Sequence, residues 1–187
     1  MSAAEESEAA LCRRAAAGDR AAFEQLVRSH QSGVRNQLRR LTHGDGALAD
    51  DLAQECFIQA WTQLAQFNGQ ARLATWLYRI AYHRFLMHVR RQRATLPLTD
   101  AHLDELTSES AAQANQSRAL RLDVASALAR LPELERVALI HCYHLDLSHE
   151  EAAQVLNLPL GTLKSQVLRA HARLRDLLAC WAPEKTS

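Results

Sequence analysis

Leu147-Ser148-His149-Glu150-Glu151-Ala152-Ala153, carried on through Asn157-Leu158-Pro159-Leu160-Gly161 to Thr162-Leu163-Lys164-Ser165 and Arg169-Ala170, decides the fold. Ser148 followed three residues later by Glu151 fits a capping box that opens a short helix to about Leu156. Ala152 and Ala153 are small enough for a second helix to cross close by. Residues 157–161 then read as a tight turn, and Thr162 is placed to cap a last helix running to about Cys180. The whole is a helix-turn-helix. On its second helix Leu163, Val167, Leu168 and Leu174 are expected to face inward. Lys164, Ser165, Arg169 and Arg173 are then left to meet a polyanion, the cations by counterion release and Ser165 and Gln166 by base readout.

Working outward, the 187 residues include 33 Ala and 30 Leu but only 7 Val, 3 Ile and 8 Thr. Ala and Leu lose little entropy in a helix, whereas the scarce β-branched residues are the good strand formers. The fold class is therefore all-α, and a β fold is excluded. Upstream, three main helices are expected at about Arg20–Leu41, Ala47–Gln66 and Ala74–Arg93. The first places Phe23, Leu26, Val27, Val34, Leu38 and Leu41 near one face; the second uses Leu48, Leu52, Phe57, Ile58, Trp61 and Leu64, with Asp50 and Asp51 in its first turn. After Arg93 the pattern fails at Leu96-Pro97, and Asp100–Ser117 is rich in Ser, Ala, Gln and acids. Helical spacing resumes near Arg118 with Leu120, Val124, Leu128 and Leu131, and Pro132 starts a further helix. Two small helical domains on a flexible linker follow: 1–95, an acidic connector at 96–117, and 118–187.

The formal net charge is +1, but the charges are segregated. Between Glu55 and Asp100 there is no acid, while Arg72, Arg79, Arg84, Arg90, Arg91 and Arg93 contribute +6. Asp100–Ser117 then carries four acids and no base, and Gly161–Arg175 four bases and no acid. Two polyanion-binding modules are implied. Arg72, Arg79, His83 and Arg90 share one side of the third helix, with Trp76, Tyr78, Tyr82 and Phe85 interleaved. Arginines that track phosphates, beside rings on which bases stack, suit a single strand, although core packing also accounts for the aromatics. The loop Phe67-Asn68-Gly69-Gln70 is placed to present groups to an unstacked base.

Other chemistries find little support. No nucleophile with its base, paired carboxylates or glycine-rich phosphate loop is present, so neither an enzyme nor a cofactor is expected. Cys12, Cys56, Cys142 and Cys180 lie far apart without a CxxC pair. His141, Cys142, His144 and His149 form the one cluster with metal-ligand chemistry, but no second cysteine or acid completes a familiar site. No apolar run is long enough to span a membrane, and Met1–Glu8 carries acids where a secretory signal needs Lys or Arg, so a cytoplasmic chain is expected.

Three ordered motifs resemble the bacterial sigma factors of RNA polymerase, in the two-domain extracytoplasmic-function (ECF) class. Asp50-Asp51-Leu52-Ala53-Gln54-Glu55-Cys56-Phe57-Ile58-Gln59-Ala60-Trp61 is similar to the helix that docks on the clamp helices of the largest polymerase subunit. Phe67 to Ala81 resembles the segment that melts and reads the minus-ten element, and Leu147 to Ala170 the helix-turn-helix that reads the minus-thirty-five element. The resemblance implies polymerase docking by Asp50, Asp51, Gln54, Glu55 and Trp61. It implies minus-ten contacts by Phe67, Asn68, Arg72, Arg79, His83 and Arg90, and minus-thirty-five contacts by Thr162, Lys164, Ser165, Arg169 and Arg173. Promoter DNA, core polymerase and an anti-sigma factor, often membrane-anchored in this class, are the implied partners, and promoter-directed initiation the implied function. The chain departs from the family's pattern at His83 and Met87, which bears on minus-ten preference. It departs again at His141-Cys142-Tyr143-His144, a patch expected to tune regulator binding or to sense metal or thiol chemistry. A two-module DNA-binding regulator that never touches polymerase is the rival; it leaves the acidic, aromatic helix Asp50–Trp61 without a use.

Overall fold

The computed structural model describes residues 3–95, 124 and 126–178. Four helices form an amino-terminal bundle: α1 (Ala3–Ala16), α2 (Arg20–Leu41), α3 (Gly46–Gln63), extended by a 3-10 turn at Leu64–Gln66, and α4 (Leu73–Thr95). A helical turn at 126–129 leads to α5 (Glu133–Leu139), a π-helical turn (Ile140–His144), α6 (His149–Leu156) and α7 (Leu160–Leu177). No strand occurs among the described residues, as the composition requires. The linker at 96–117, the start of the next helix at 118–123 and Cys180 fall outside them.

Local chemistry sets the helix ends. Asp19 caps α2 by accepting from the Ala22 amide at 3.1 Å, and Asp45 caps α3 by accepting from the Leu48 amide at 3.0 Å. Asp50 and Asp51 accordingly lie beyond the first turn of α3, which begins at Gly46. The capping box of α6 is complete: Glu151 N donates to Ser148 Oγ (3.1 Å) and Ser148 N to Glu151 Oε2 (2.9 Å). Asn157 ends α6 in the left-handed region, φ 52°, which Asn tolerates better than most residues. At α7 the reading needs correction. Pro159 is the cap residue and the helix begins at Leu160, so Thr162 lies inside the first turn, its carbonyl accepting from Ser165 Oγ at 2.8 Å.

Leu26, Val34, Leu38 and Leu41 of α2 pack with Ala49, Leu52, Ala53, Cys56 and Ala60 of α3 and with Leu73, Leu77, Ile80, Ala81 and Phe85 of α4. The core continues into Val137, Leu147, Ala152, Val155, Leu156, Leu163, Val167 and Ala170. Each fully buried leucine, such as Leu38 or Leu163, contributes about 1.5–3 kcal/mol from area removed from water. Two expected core positions are surface residues: Ile58 is 67% exposed and Leu168 72%. Ile58 points away from α2 and α4, and Leu168 sits one position past the buried Val167, where 100° of helical rotation turns it outward.

Candidate polymerase and nucleic-acid interface

Three faces carry the residues singled out above. On α3, Asp51, Gln54, Glu55 and Ile58 are exposed and recur at spacings of three and four, so they form one acidic stripe with an aliphatic end. Asp50 is turned toward Arg35, whose Nε lies 3.2 Å away. Trp61 packs on Phe23 with ring centroids 4.9 Å apart. Asp50 and Trp61 thus stand apart from the stripe. Ile58 belongs to it, and the spacing from Asp51 through Glu55 could have shown this.

The second face is built on α4. Arg72, Arg79, His83 and Arg90 are all exposed. The aromatics divide: Tyr82 and Phe85 are buried, while Trp76 and Tyr78 are half-buried. In the preceding loop Asn68 Oδ1 accepts from the Gln70 amide at 3.1 Å, and Gly69 takes φ 72°, a conformation open to glycine at no steric cost. That turn sets Phe67 against Trp76, centroids 5.3 Å apart, at the mouth of a cleft of about 400 Å³. Phe67, Asn68, Thr75, Trp76 and Arg79 line it together with Gln154 and Val155 of α6. A ring pair, an amide and a guanidinium around such a space can stack and hydrogen-bond an unpaired base.

The third face is α7, from which Lys164, Ser165, Arg169 and Arg173 project into solvent and Thr162 is partly covered. Sequence reasoning missed a contributor from another helix. Glu135 of α5 is buried, 4% exposed, with Arg173 Nε 3.0 Å and Arg169 Nε 3.9 Å from its carboxylate. A buried carboxylate requires such partners, and it draws both guanidiniums, each more than half exposed, toward α5. Beside this face Tyr143 meets the His171 ring edge-on, centroids 5.0 Å apart.

The His/Cys patch is dispersed. His141 is fully buried, its Nδ1 2.8 Å from the Val137 carbonyl and its Nε2 2.9 Å from Gln37 Nε2. The carbonyl requires Nδ1–H as donor, which leaves Nε2 to accept from the Gln37 amide. Both ring nitrogens are therefore taken. Burial pushes the His141 pKa down to about 4, opposed by the Val137 hydrogen bond. Burial also raises the Cys142 thiol and lowers exposed His144, the latter helped by Arg40. Among the described residues no group of three or more His, Cys, Asp or Glu is placed to hold a metal ion.

Comparison with known proteins gives the family. Residues 26–95 match the Sigma-70 region 2 family and residues 121–174 the family described as Sigma-70, region 4. The ECF RNA polymerase sigma factor SigM of Mycobacterium tuberculosis (strain H37Rv) is 35% identical over 176 residues, covering 93% of this chain and 86% of SigM. The RNA polymerase sigma-H factor of Pseudomonas aeruginosa is 31% identical over 184 residues, 93% of this chain and 95% of that protein. CnrH, solved in complex with the cytosolic domain of CnrY, superposes with a TM-score of 0.66 at 26% identity, covering 94% of this chain and 99% of CnrH. The sigma factor RpoE, solved with the anti-sigma factor NepR from Bartonella quintana, gives 0.66 at 25% identity over 84% of this chain and 96% of RpoE. With both halves matched in order and a relative 35% identical over 93% of its length, this chain belongs to the ECF RNA polymerase sigma factors.

Proposed function

We infer that the chain acts by stoichiometric recognition rather than turnover. It binds core RNA polymerase through the α3 stripe, holds the minus-thirty-five element as duplex on α7, and captures unpaired minus-ten bases in the cleft beneath Phe67 and Asn68. Residues 1–95 are then the docking and minus-ten unit, 118–187 the minus-thirty-five unit, and the acidic 96–117 the connector threaded between them. The chain works where the polymerase is, in the cytoplasm; no helix among the described residues is long and apolar enough to cross a membrane. An anti-sigma factor is the regulator that fits, because RpoE was solved with one. The rival regulator that never meets polymerase is disfavoured by region 2 itself.

The observation that carries this reading is the adjacency of opposite faces in one bundle: the acidic stripe Asp51–Gln54–Glu55–Ile58 on α3 beside the cationic α4. An acidic helix has no use for DNA, whereas it does for a basic protein surface. Fluorescence anisotropy of labelled chain with core polymerase, followed by promoter-dependent transcription, tests it. Tight binding lost in an Asp51→Ala/Glu55→Ala double variant is expected; specific DNA affinity with no polymerase binding would return the chain to the regulator class.

A further inference from the structure

Arg84 belongs to the cationic helix α4 but not to its open face. It follows the exposed His83 and is turned against α3, its side chain 29% exposed. There Arg84 Nε donates to Gln59 Oε1 at 2.6 Å, and Arg84 Nη1 lies 3.7 Å from Glu55 Oε2. Glu55 and Gln59 are four positions apart and so are neighbours on the surface of α3. One guanidinium from α4 therefore spans a full turn of α3, and one end of that span is a member of the acidic stripe.

We propose that Arg84 is a positioning residue for polymerase docking: anchored on Gln59, it holds the Glu55 carboxylate within the outward stripe Asp51–Gln54–Glu55–Ile58, so that a side chain of the strand-reading helix completes the docking face. The proposal rests on the docking of that stripe given under Proposed function. A guanidinium is planar, with its donors in a rigid fork, so the hydrogen bond at Nε sets the plane in which Nη1 meets Glu55. A glutamate left to itself explores several rotamers and gives them up on binding, whereas one already held loses less.

Charge acts in the opposite sense, because a cation beside the stripe lessens its pull on a basic partner. Geometry decides between the two. Arg84 approaches from the α4 flank and its pair with Glu55 is long, while the Glu55 side chain stays 47% exposed for a partner. Pairs of this exposure gain little Coulomb energy, so orientation outweighs neutralisation. The other flank of α3 shows a cation with the contrary effect. Arg35 Nε of α2 lies 3.2 Å from Asp50 Oδ1, closer than Arg84 comes to Glu55, and Asp50 is turned off the stripe toward α2. Cations on the two neighbouring helices thus sort the acids of α3, withdrawing Asp50 and presenting Glu55.

A double-mutant cycle in core-polymerase affinity tests this, read by fluorescence anisotropy of the labelled full chain. Arg84→Met is expected to weaken binding about fivefold, but to change it less than about twofold in a Glu55→Gln background, where the carboxylate it serves is already gone. Gln59→Leu removes the anchor and keeps the charge, and should weaken binding about two- to threefold with the same dependence on Glu55. It carries the test should circular dichroism show that Arg84→Met loses helicity. Arg35→Met, on the withdrawn side, is expected to change affinity less than about twofold. The proposal is overturned by an Arg84→Met chain that binds as the wild type does or more tightly, by a loss that persists in full without the Glu55 carboxylate, or by an equal loss in Arg35→Met. A wild type with no affinity for core polymerase would instead remove the docking reading itself, and the proposal with it.

Discussion

The cations of α4 and those of α7 are held in opposite ways. Arg72, Arg79 and Arg90 make no ion pair among the described residues, whereas Arg169 and Arg173 both face the buried carboxylate of Glu135. The difference matches the two forms of DNA each face is proposed to meet. Phosphates of a duplex sit at fixed spacing, so arginines already drawn to a fixed carboxylate lose less freedom on binding. A melted strand has no fixed spacing, and solvated arginines can follow it. On that proposal α7 serves as a template and α4 as an adaptable face, within a single continuous core.

That contrast can be broken in several places. The largest effect is expected from Leu163→Ala, which empties a fully buried position behind α7 and should cost about 2–5 kcal/mol of stability by urea denaturation. A loss below about 1 kcal/mol would mean that the template is not tightly packed. Acid comes next. His141 has its pKa depressed from 6.5 to about 4, so the unfolded chain binds its proton more readily. The stabilisation is present above pH 6.5 and is lost as pH falls toward 4, by up to about 3 kcal/mol. His43 and His144, also lowered chiefly by burial, act in the same direction. Thermal unfolding followed from pH 7.5 to 5 should show the decline, and a flat profile would contradict the buried neutral imidazole. Arg169→Ala should then weaken duplex promoter binding and shallow its log–log salt dependence by about one unit, while Arg79→Ala leaves that duplex slope unchanged. Equal slopes in both variants would erase the distinction between the modules. The smallest change is expected for Leu168→Ala, below about 0.5 kcal/mol, because that side chain is 72% exposed.

Much of this was legible in the sequence where the controlling interactions are local. The Ser148/Glu151 box, the turn at Asn157 and the cationic side of α4 are set by residues within a few positions of one another. Helix α1 was not anticipated, because the apolar residues of Ala3–Ala16 are mostly alanines amid acids and give little periodic contrast. The hydrophobic character of Ile58 and Leu168 says nothing about which side of a helix solvent occupies. Glu135 and His141 were out of reach for another reason. Each is explained by partners on other helices, Glu135 by residues 34 and 38 positions away and His141 by Gln37, 104 positions earlier. The docking of the two units depends on such pairs, so a reading built on spacing leaves them as separate modules.

The acid-free stretch from Cys56 to Thr99 has a thermodynamic consequence for α4. A helix bearing this much charge of one sign repels itself, even with Arg84 facing a carboxylate, Glu55 at 3.7 Å. Dissolved salt therefore relieves the bundle instead of weakening it, and stability should climb with ionic strength from very dilute buffer. Any polyanion that settles on the same face does so more effectively, since it adds ligand linkage to charge neutralisation. Heparin and nucleic acid should both raise the melting temperature of this chain before either is read for its sequence.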